Sequence, residues 1–181
     1  MPAERLAATV VIATYNRAGW LDGTLASLMR MDCRQPWDVI VIDNNSTDET
    51  PHVIAKYAAG PIPVLPLFEP RQGKSTALNT ALEHARGDII AFTDDDVDVD
   101  AQWLTTACDL LDANPEADYV GGGHGHPASP GMPAWLLVIG RRRQQYECLP
   151  GGPRLTSHAV CKRLSLDACR TPCRHCGDRH V

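Results

Sequence analysis

Three consecutive aspartates, Asp94, Asp95 and Asp96, form the pattern in this chain with the clearest chemical meaning. Carboxylates packed this closely repel one another, so a bound cation would stabilise them. Hard oxygen ligands suit Mg²⁺ or Mn²⁺ held together with a phosphate-bearing substrate, whereas zinc prefers nitrogen and sulfur. A solvated turn is the simpler alternative, because aspartate also favours turns. We expect a metal site, because the cluster directly follows the apolar, strand-like run 88–93.

Polar residues also follow two earlier strand-like runs. Thr14, Tyr15 and Asn16 come after the run 7–13, and Asp43 directly follows the run 38–42. Since ligands of open α/β sheets bind outside the carboxyl ends of the strands, we expect these residues to face the same crevice as the aspartates. The Asp43 carboxylate would accept hydrogen bonds from a nucleobase or ribose. Capping of a turn is its alternative role.

Two cations, Arg71 and Lys74, stand near the predicted start of a helix. The sequence Gly73-Lys74-Ser75 suggests a P-loop, but that motif needs a glycine where this chain has Phe68, so we reject it. Arg71 and Lys74 remain candidates for contact with an anionic ligand at the helix N-terminus. They are equally well explained as ordinary surface cations.

The elements that position these residues alternate between strand-like and helical patterns. This alternation predicts an α/β fold: a Rossmann-like, mostly parallel sheet flanked by helices. The run 63–68, interrupted by Pro66, predicts a short edge strand, and Tyr119-Val120 a fifth strand. Ser46 to Glu49 has the form of a capping box that opens a helix. A further helix is predicted from near Ser75 to Gly87, which would serve as its left-handed cap.

Charge is distributed unevenly along the 181 residues. Residues 1–140 contain 8 of the 17 basic and 19 of the 22 acidic residues, so the main body is strongly acidic and residues 141–181 are basic. An acidic body does not suit nucleic-acid binding, which requires cations that neutralise phosphates. No apolar run approaches the roughly 20 residues needed to span a bilayer, and residues 1–5 do not resemble a secretory signal. We therefore expect a cytoplasmic protein.

The regular alternation fails beyond about Gly123. We expect one domain over residues 1–123, and an atypical region rich in cysteine and arginine, in large part disordered, over residues 124–181. Soft ligands in the tail raise the alternative of a zinc site. These ligands are Cys169, Cys173, His175, Cys176 and His180. A shifted reading frame would also explain the change in composition.

Three segments taken together, 10–17, 39–48 and 87–96, resemble family 2 glycosyltransferases of the A-type fold in order, spacing and strand-end placement. The resemblance covers about residues 7–123, the donor-binding half of such enzymes. Residues 72–79 also resemble the family's helix beside the donor site, although Leu78 stands where many members carry arginine. The resemblance implies a hexosyltransferase that takes a UDP- or GDP-sugar as donor and a saccharide or lipid-linked acceptor.

The resemblance also implies roles for individual residues. Thr14, Tyr15, Asn16 and Asp43 would hold the nucleoside, with Asp94 near the ribose. Asp96, with Asp94 or Asp95, would hold Mg²⁺ or Mn²⁺ on the diphosphate. Arg71 and Lys74 would supply the cations.

Family members invert the sugar centre and use a carboxylate in the acceptor half as general base. After Asp118 the only carboxylates are Glu147, Asp167 and Asp178, and none has the family's context. We therefore expect the acceptor half to be truncated or atypical. The alternative function is a nucleotide-sugar-binding fragment without transferase turnover. By analogy, the acceptor would belong to polysaccharide or glycolipid assembly and would bring the protein to a membrane surface.

Overall fold

A computed structural model of the chain describes residues 6–117, 119–122, 136–140 and 159–162. Within these residues the elements in chain order are β1 (Ala8–Thr14), α1 (Ala18–Leu28), β2 (Trp37–Asp43), α2 (Thr50–Ala58), β3 (Val64–Phe68), α3 (Lys74–His84), β4 (Ile89–Phe92), α4 (Trp103–Ala113), β5 (Tyr119–Gly122), β6 (Leu136–Gly140) and β7 (Ala159–Lys162).

The strands form one sheet in the order β3-β2-β1-β4-β7-β5-β6. The first four strands of the chain, β1 to β4, are parallel to one another. β7 lies antiparallel between β4 and β5, and β6 is antiparallel to β5. The predicted α/β fold with a mostly parallel sheet flanked by helices is therefore confirmed.

Helices cover both faces of the parallel part of the sheet. On one face, α1, α2 and α4 pack leucine and other apolar side chains against Val10, Ile12 and Val41. On the other face, α3 packs Ala77 and Ala81 against Val11, Ile40 and Ile90. Side chains of neighbouring strand residues point to opposite faces, so a continuous apolar run such as β1 is buried on both sides.

The shorter strands agree with the sequence predictions only in part. β3 lies at an edge of the sheet, and β5 begins at Tyr119, as the sequence predicts. Beyond Gly123, where the regular alternation fails, the structure adds β6 and β7 to the sheet. These strands, of five and four residues, lie outside the alternation of strands and helices, and they pair antiparallel with β5 and β4 respectively.

The predicted capping box of α2 does not form. The helix begins at Thr50, and the Ser46 hydroxyl instead accepts a hydrogen bond from the backbone N–H of Asn16 at 2.9 Å. The Asp48 carboxylate accepts the N–H of Thr50 at 3.0 Å. Ser46 therefore joins the loop after β2 to the loop after β1.

Gly87 is not the left-handed cap of α3. That helix ends at His84, and among the described glycines Gly73 is the one with positive φ. A Cβ atom on Gly87 would lie 2.4 Å from the Ala8 carbonyl carbon and the Thr9 nitrogen. Glycine is required here because the backbone of β1 passes too close for any side chain.

Among the described residues, no helix is both long and apolar enough to cross a membrane. The cysteine and histidine residues of the alternative zinc site lie outside the described residues, as do the carboxylates Glu147, Asp167 and Asp178.

Candidate functional site

The loops that follow β1 to β4 meet at the carboxyl edge of the sheet. Thr14 pairs with Asp43 and Asp43 with Phe68, while Phe92 at the end of β4 pairs with Val11. A cleft of about 370 Å³ opens at this edge. Four chain segments line it, through Ala13, Thr14, Tyr15, Arg17, Asn44, Gln72, Gly73, Lys74, Asp94, Asp95 and Asp96.

The three aspartates are paired with two cations inside the cleft. Arg17 Nη1 donates to Asp96 Oδ2 at 2.7 Å and lies 3.5 Å from Asp95 Oδ1. The Lys74 ammonium donates to the Asp94 carboxylate. Contact with Asp96, and then with Asp95, raises the pKa of the Arg17 guanidinium. Three carboxylates therefore face two cations, which leaves the cleft with an excess of negative charge.

Asp95 is the most buried carboxylate of the cluster, with 10% of its side chain exposed. Burial raises the pKa of Asp95, and the nearby Thr14 hydroxyl and Arg17 guanidinium partly offset this effect. Thr14 Oγ1 is itself buried and makes no well-formed hydrogen bond to the described residues. The Thr14 hydroxyl therefore lies beside the Asp95 carboxylate at the buried wall of the cleft.

The donor set of the cleft fits a divalent cation that is shared with a phosphate-bearing ligand. Asp94 and Asp96 supply hard oxygen atoms on one cleft wall. Within the described chain, no group of three or more histidine, cysteine, aspartate or glutamate residues is arranged to hold a metal by itself. Mg²⁺ characteristically takes one or two carboxylates and completes its shell with water and substrate phosphates. The residues therefore suit a cation that is also coordinated by ligand phosphates, and not one that the protein coordinates alone.

The loop 69–73, whose Gln72 and Gly73 line the cleft, is fixed in place by Asn44. Asn44 Nδ2 donates to the carbonyls of Glu69 and Arg71 at 3.0 and 2.7 Å, and Asn44 Oδ1 accepts the N–H of Gly73 at 2.8 Å. Gly73 has a φ of 141°, which side-chain-bearing residues rarely adopt. Asn44 and Gly73 together set the position at which α3 begins with Lys74.

Glu69 holds the same loop from its buried side. It accepts two hydrogen bonds from the Arg71 guanidinium, at 2.8 and 2.9 Å, and one from the Thr80 hydroxyl at 2.6 Å. These bonds, with the largest effect from Arg71, lower the pKa of Glu69 to about 2. The guanidinium of Arg71 is therefore committed to Glu69.

Two hydroxyls on α1 position the segment that follows the aspartates. Thr24 Oγ1 accepts the N–H of Val97 at 2.9 Å, and Ser27 Oγ accepts the N–H of Val99 at 3.0 Å. Both hydroxyl-bearing residues are buried. The acidic segment is thus attached to α1 immediately after Asp96.

The cleft brings together six of the residues predicted from the sequence: Thr14, Tyr15, Lys74, Asp94, Asp95 and Asp96. The other three predicted residues, Asn16, Asp43 and Arg71, do not line it. Asn16 Oδ1 accepts the N–H of Thr47, and Asp43 Oδ1 accepts the N–H of Ser46. Turn capping, the alternative considered for Asp43, is therefore realised by one of its oxygen atoms.

Sequence reasoning assigned no role to Arg17, Asn44, Gln72 or Glu69. Arg17 follows Asn16 directly, so its place in the loop after β1 was an available signal. Gln72 Nε2 donates to the Asn44 carbonyl at 2.8 Å, a contact between residues 28 positions apart. No local pattern marks such a pair, because it exists only once the two loops are adjacent.

Solved structures with the same architecture are glycosyltransferases. Mannosyltransferase PcManGT from Pyrobaculum calidifontis, in complex with GDP-Man and Mn²⁺, superposes with a TM-score of 0.60 at 33% identity over 67% of this chain and 36% of that protein. S. aureus TarS, in complex with UDP-GlcNAc, superposes with a TM-score of 0.56 at 25% identity over 70% of this chain and 38% of the TarS chain. The chain therefore has the A-type glycosyltransferase fold.

The sequence comparison defines the family. The model for glycosyl transferase family 2 matches residues 9–166, and the chain belongs to that family. The succinoglycan biosynthesis protein ExoM of Rhizobium meliloti is 31% identical over 139 residues, which are 75% of this chain and 44% of ExoM. The chain spans less than half the length of each of these three relatives.

Proposed function

We propose that this chain binds a UDP- or GDP-sugar in the cleft and transfers the sugar, with inversion, to an acceptor hydroxyl. The observation that carries the proposal is that Thr14 and Tyr15 share one cleft with Lys74 and the aspartates of the cluster. Two relatives that bind GDP-Man with Mn²⁺ and UDP-GlcNAc support this type of ligand.

The proposed binding mode follows from the chemistry of the cleft walls. Tyr15, 46% exposed, offers an aromatic face to the nucleobase, and Thr14, which lines the same cleft beside Asp95, offers its hydroxyl to the nucleoside. Asp94 lies where the ribose would be, and Asp43 supports this end of the cleft through its turn. Lys74, which lines the cleft beside Asp94, provides a cation for the diphosphate, whereas Arg71 does not line the cleft and pairs with Glu69.

Asp96, with Asp94, would hold Mg²⁺ or Mn²⁺ against the diphosphate. Such a cation neutralises the charge that accumulates on the departing nucleoside diphosphate. The protein's own contribution is to fix the carboxylates. β4 delivers them to the carboxyl edge of the sheet, and the hydroxyls of Thr24 and Ser27 hold the segment that follows.

A saccharide or lipid-linked acceptor is part of the same proposal. ExoM, a succinoglycan biosynthesis protein, supports a role in polysaccharide assembly. We further propose that the protein acts in the cytoplasm and meets a lipid-linked acceptor at a membrane surface.

A second candidate function is donor binding without turnover. It is favoured by the sequence after Asp118, whose few carboxylates lack the context of the family's general base. A missing base would lower the rate by roughly 10² to 10⁴.

Donor binding by the 181-residue chain tests the proposal. Titration calorimetry with UDP, GDP and their sugar conjugates, with and without Mn²⁺, would compare the parent with Asp96→Ala and Asp98→Ala. Asp98 is the matched control, because it lies two residues away, is 86% exposed and pairs with Arg30 outside the cleft. We expect Asp96→Ala to lose at least about tenfold in metal-dependent affinity, and Asp98→Ala to bind like the parent.

Equal, metal-independent affinity in the parent and Asp96→Ala would overturn the site assignment. A product assay with a UDP- or GDP-hexose then separates the two candidates. Sugar transfer supports the enzyme, whereas binding without any product supports the fragment.

A further inference from the structure

Arg17 pairs with carboxylates that would hold a divalent cation in the cleft. Its guanidinium bridges Asp96 at 2.7 Å and Asp95 at 3.5 Å, and it lines the same cleft as Thr14 and Lys74. This contact spans 79 positions in the chain, so it depends on the tertiary fold. A cation and a guanidinium cannot both use the same carboxylate oxygen without strong repulsion.

The backbone of Arg17 is fixed by hydrogen bonds, while its side chain is about half exposed. The N–H of Arg17 donates to Thr50 Oγ1 at 3.3 Å, and the preceding Asn16 is bonded to Ser46 and Thr47. The Arg17 side chain, in contrast, is 47% exposed and that of Asp96 is 42% exposed. A change of side-chain rotamer can therefore open the pair without disturbing the loop.

We infer that Arg17 is an internal counter-cation of the cleft, which releases Asp96 to a divalent cation and then contacts the anionic ligand. The guanidinium presents a planar set of donors that matches phosphate oxygens, so it would exchange the carboxylates for a diphosphate. This inference rests on the proposed function, because it assumes that a diphosphate enters the cleft.

The exchange has a thermodynamic consequence. The metal alone must displace Arg17 from Asp96, whereas a diphosphate draws Arg17 away and lowers that cost. Binding of metal and nucleotide is then positively coupled, and the coupling acts equally in both directions. Arg17 is thus a positioning residue whose loss should strengthen binding of the metal alone and weaken the coupling.

Mn²⁺ binding, followed by electron paramagnetic resonance of free Mn²⁺, tests this inference without any turnover. The parent is compared with Arg17→Met, Arg17→Lys and Arg30→Met, each with and without UDP or GDP. Arg30→Met is the matched control. It removes the same charge from the same acidic segment, but its partner is Asp98, at 3.0 Å and outside the cleft.

We expect Arg17→Met to bind Mn²⁺ alone about two- to fivefold more tightly than the parent, the range of an exposed ion pair. The enhancement of Mn²⁺ affinity by nucleotide should shrink in Arg17→Met and be partly kept in Arg17→Lys. Introducing Asp96→Asn should abolish the effect of Arg17→Met on Mn²⁺ binding, since the shared carboxylate is gone.

An equal change in Arg17→Met and Arg30→Met would overturn the inference, because it would reflect net charge alone. In that case metal-dependent nucleotide binding by the parent would still support the proposed function. If Arg17→Met binds Mn²⁺ more tightly but neither the parent nor any variant binds nucleotide, the proposed function fails. Competition between Arg17 and the metal would still be supported.

Discussion

Thr24 and Thr93 are both buried threonines beside the acidic segment, but only the Thr24 hydroxyl has a hydrogen-bond partner among the described residues. Thr24 Oγ1 accepts the N–H of Val97 at 2.9 Å, whereas Thr93 Oγ1 makes no hydrogen bond within the described chain. Valine has nearly the shape of threonine and lacks the hydroxyl. We predict that Thr24→Val destabilises the protein and that Thr93→Val does not.

The magnitude follows from what each substitution leaves behind. Thr24→Val leaves the partly buried N–H of Val97 without an acceptor, which costs about 1–3 kcal/mol. Valine and threonine have similar helix propensities, so the position of Thr24 within α1 adds little. Thr93→Val removes a buried hydroxyl that has already lost its water, so the change should be neutral or stabilising by up to about 1 kcal/mol.

Thermal unfolding measures the difference. For a chain of this size, 1 kcal/mol shifts Tm by about 2–4 °C, so Thr24→Val should lower Tm by roughly 2–12 °C. Hydrogen exchange gives a local readout, because the Val97 amide should exchange faster in Thr24→Val only. Equal losses of Tm in the two variants, or an unchanged Val97 amide in Thr24→Val, would refute the assigned contact.

Two further predictions concern the backbone and the loop after β3. Gly87→Ala should destabilise by about 1–3 kcal/mol, because its Cβ would lie 2.4 Å from the backbone of β1; Gly23→Ala in α1, with no atom within 4 Å, should instead stabilise by about 0.5–1 kcal/mol. Chemical denaturation checks both signs, and a Gly87→Ala variant as stable as the parent would contradict the close approach. Glu69→Gln should be less stable than the parent above pH 4.5, and this difference should fade as the pH falls from 4.5 to about 2, where Glu69 becomes protonated in the folded state as well. Tm values of the two proteins across this range check the prediction, and a difference independent of pH would contradict it.

The parallel part of the sheet was predictable because its signals are local. Uninterrupted apolar runs mark β1, β2 and β4, and helical spacing marks the segments between them. β6 and β7 were not predicted, because they lie outside the alternation of strands and helices and are defined by their pairing with β5 and β4. The predicted capping box does not form because of a contact between two loops: the Ser46 hydroxyl accepts a hydrogen bond from the N–H of Asn16.

The amino-acid sequence by itself determined that polar residues follow consecutive strands, and therefore that they gather at one edge of the sheet. This inference needs only the rule that parallel strands end together, and it brought Thr14, Tyr15, Lys74 and the aspartates to one cleft. It could not tell which side chains remain available there. Arg71 is taken by Glu69, Asp43 caps its turn, and Arg17 enters the acidic cluster. Only the tertiary structure decided these pairings, because hydrogen bonds and ion pairs act over a few ångströms, and residues far apart in the chain reach that distance only when the sheet register and the loops have been set.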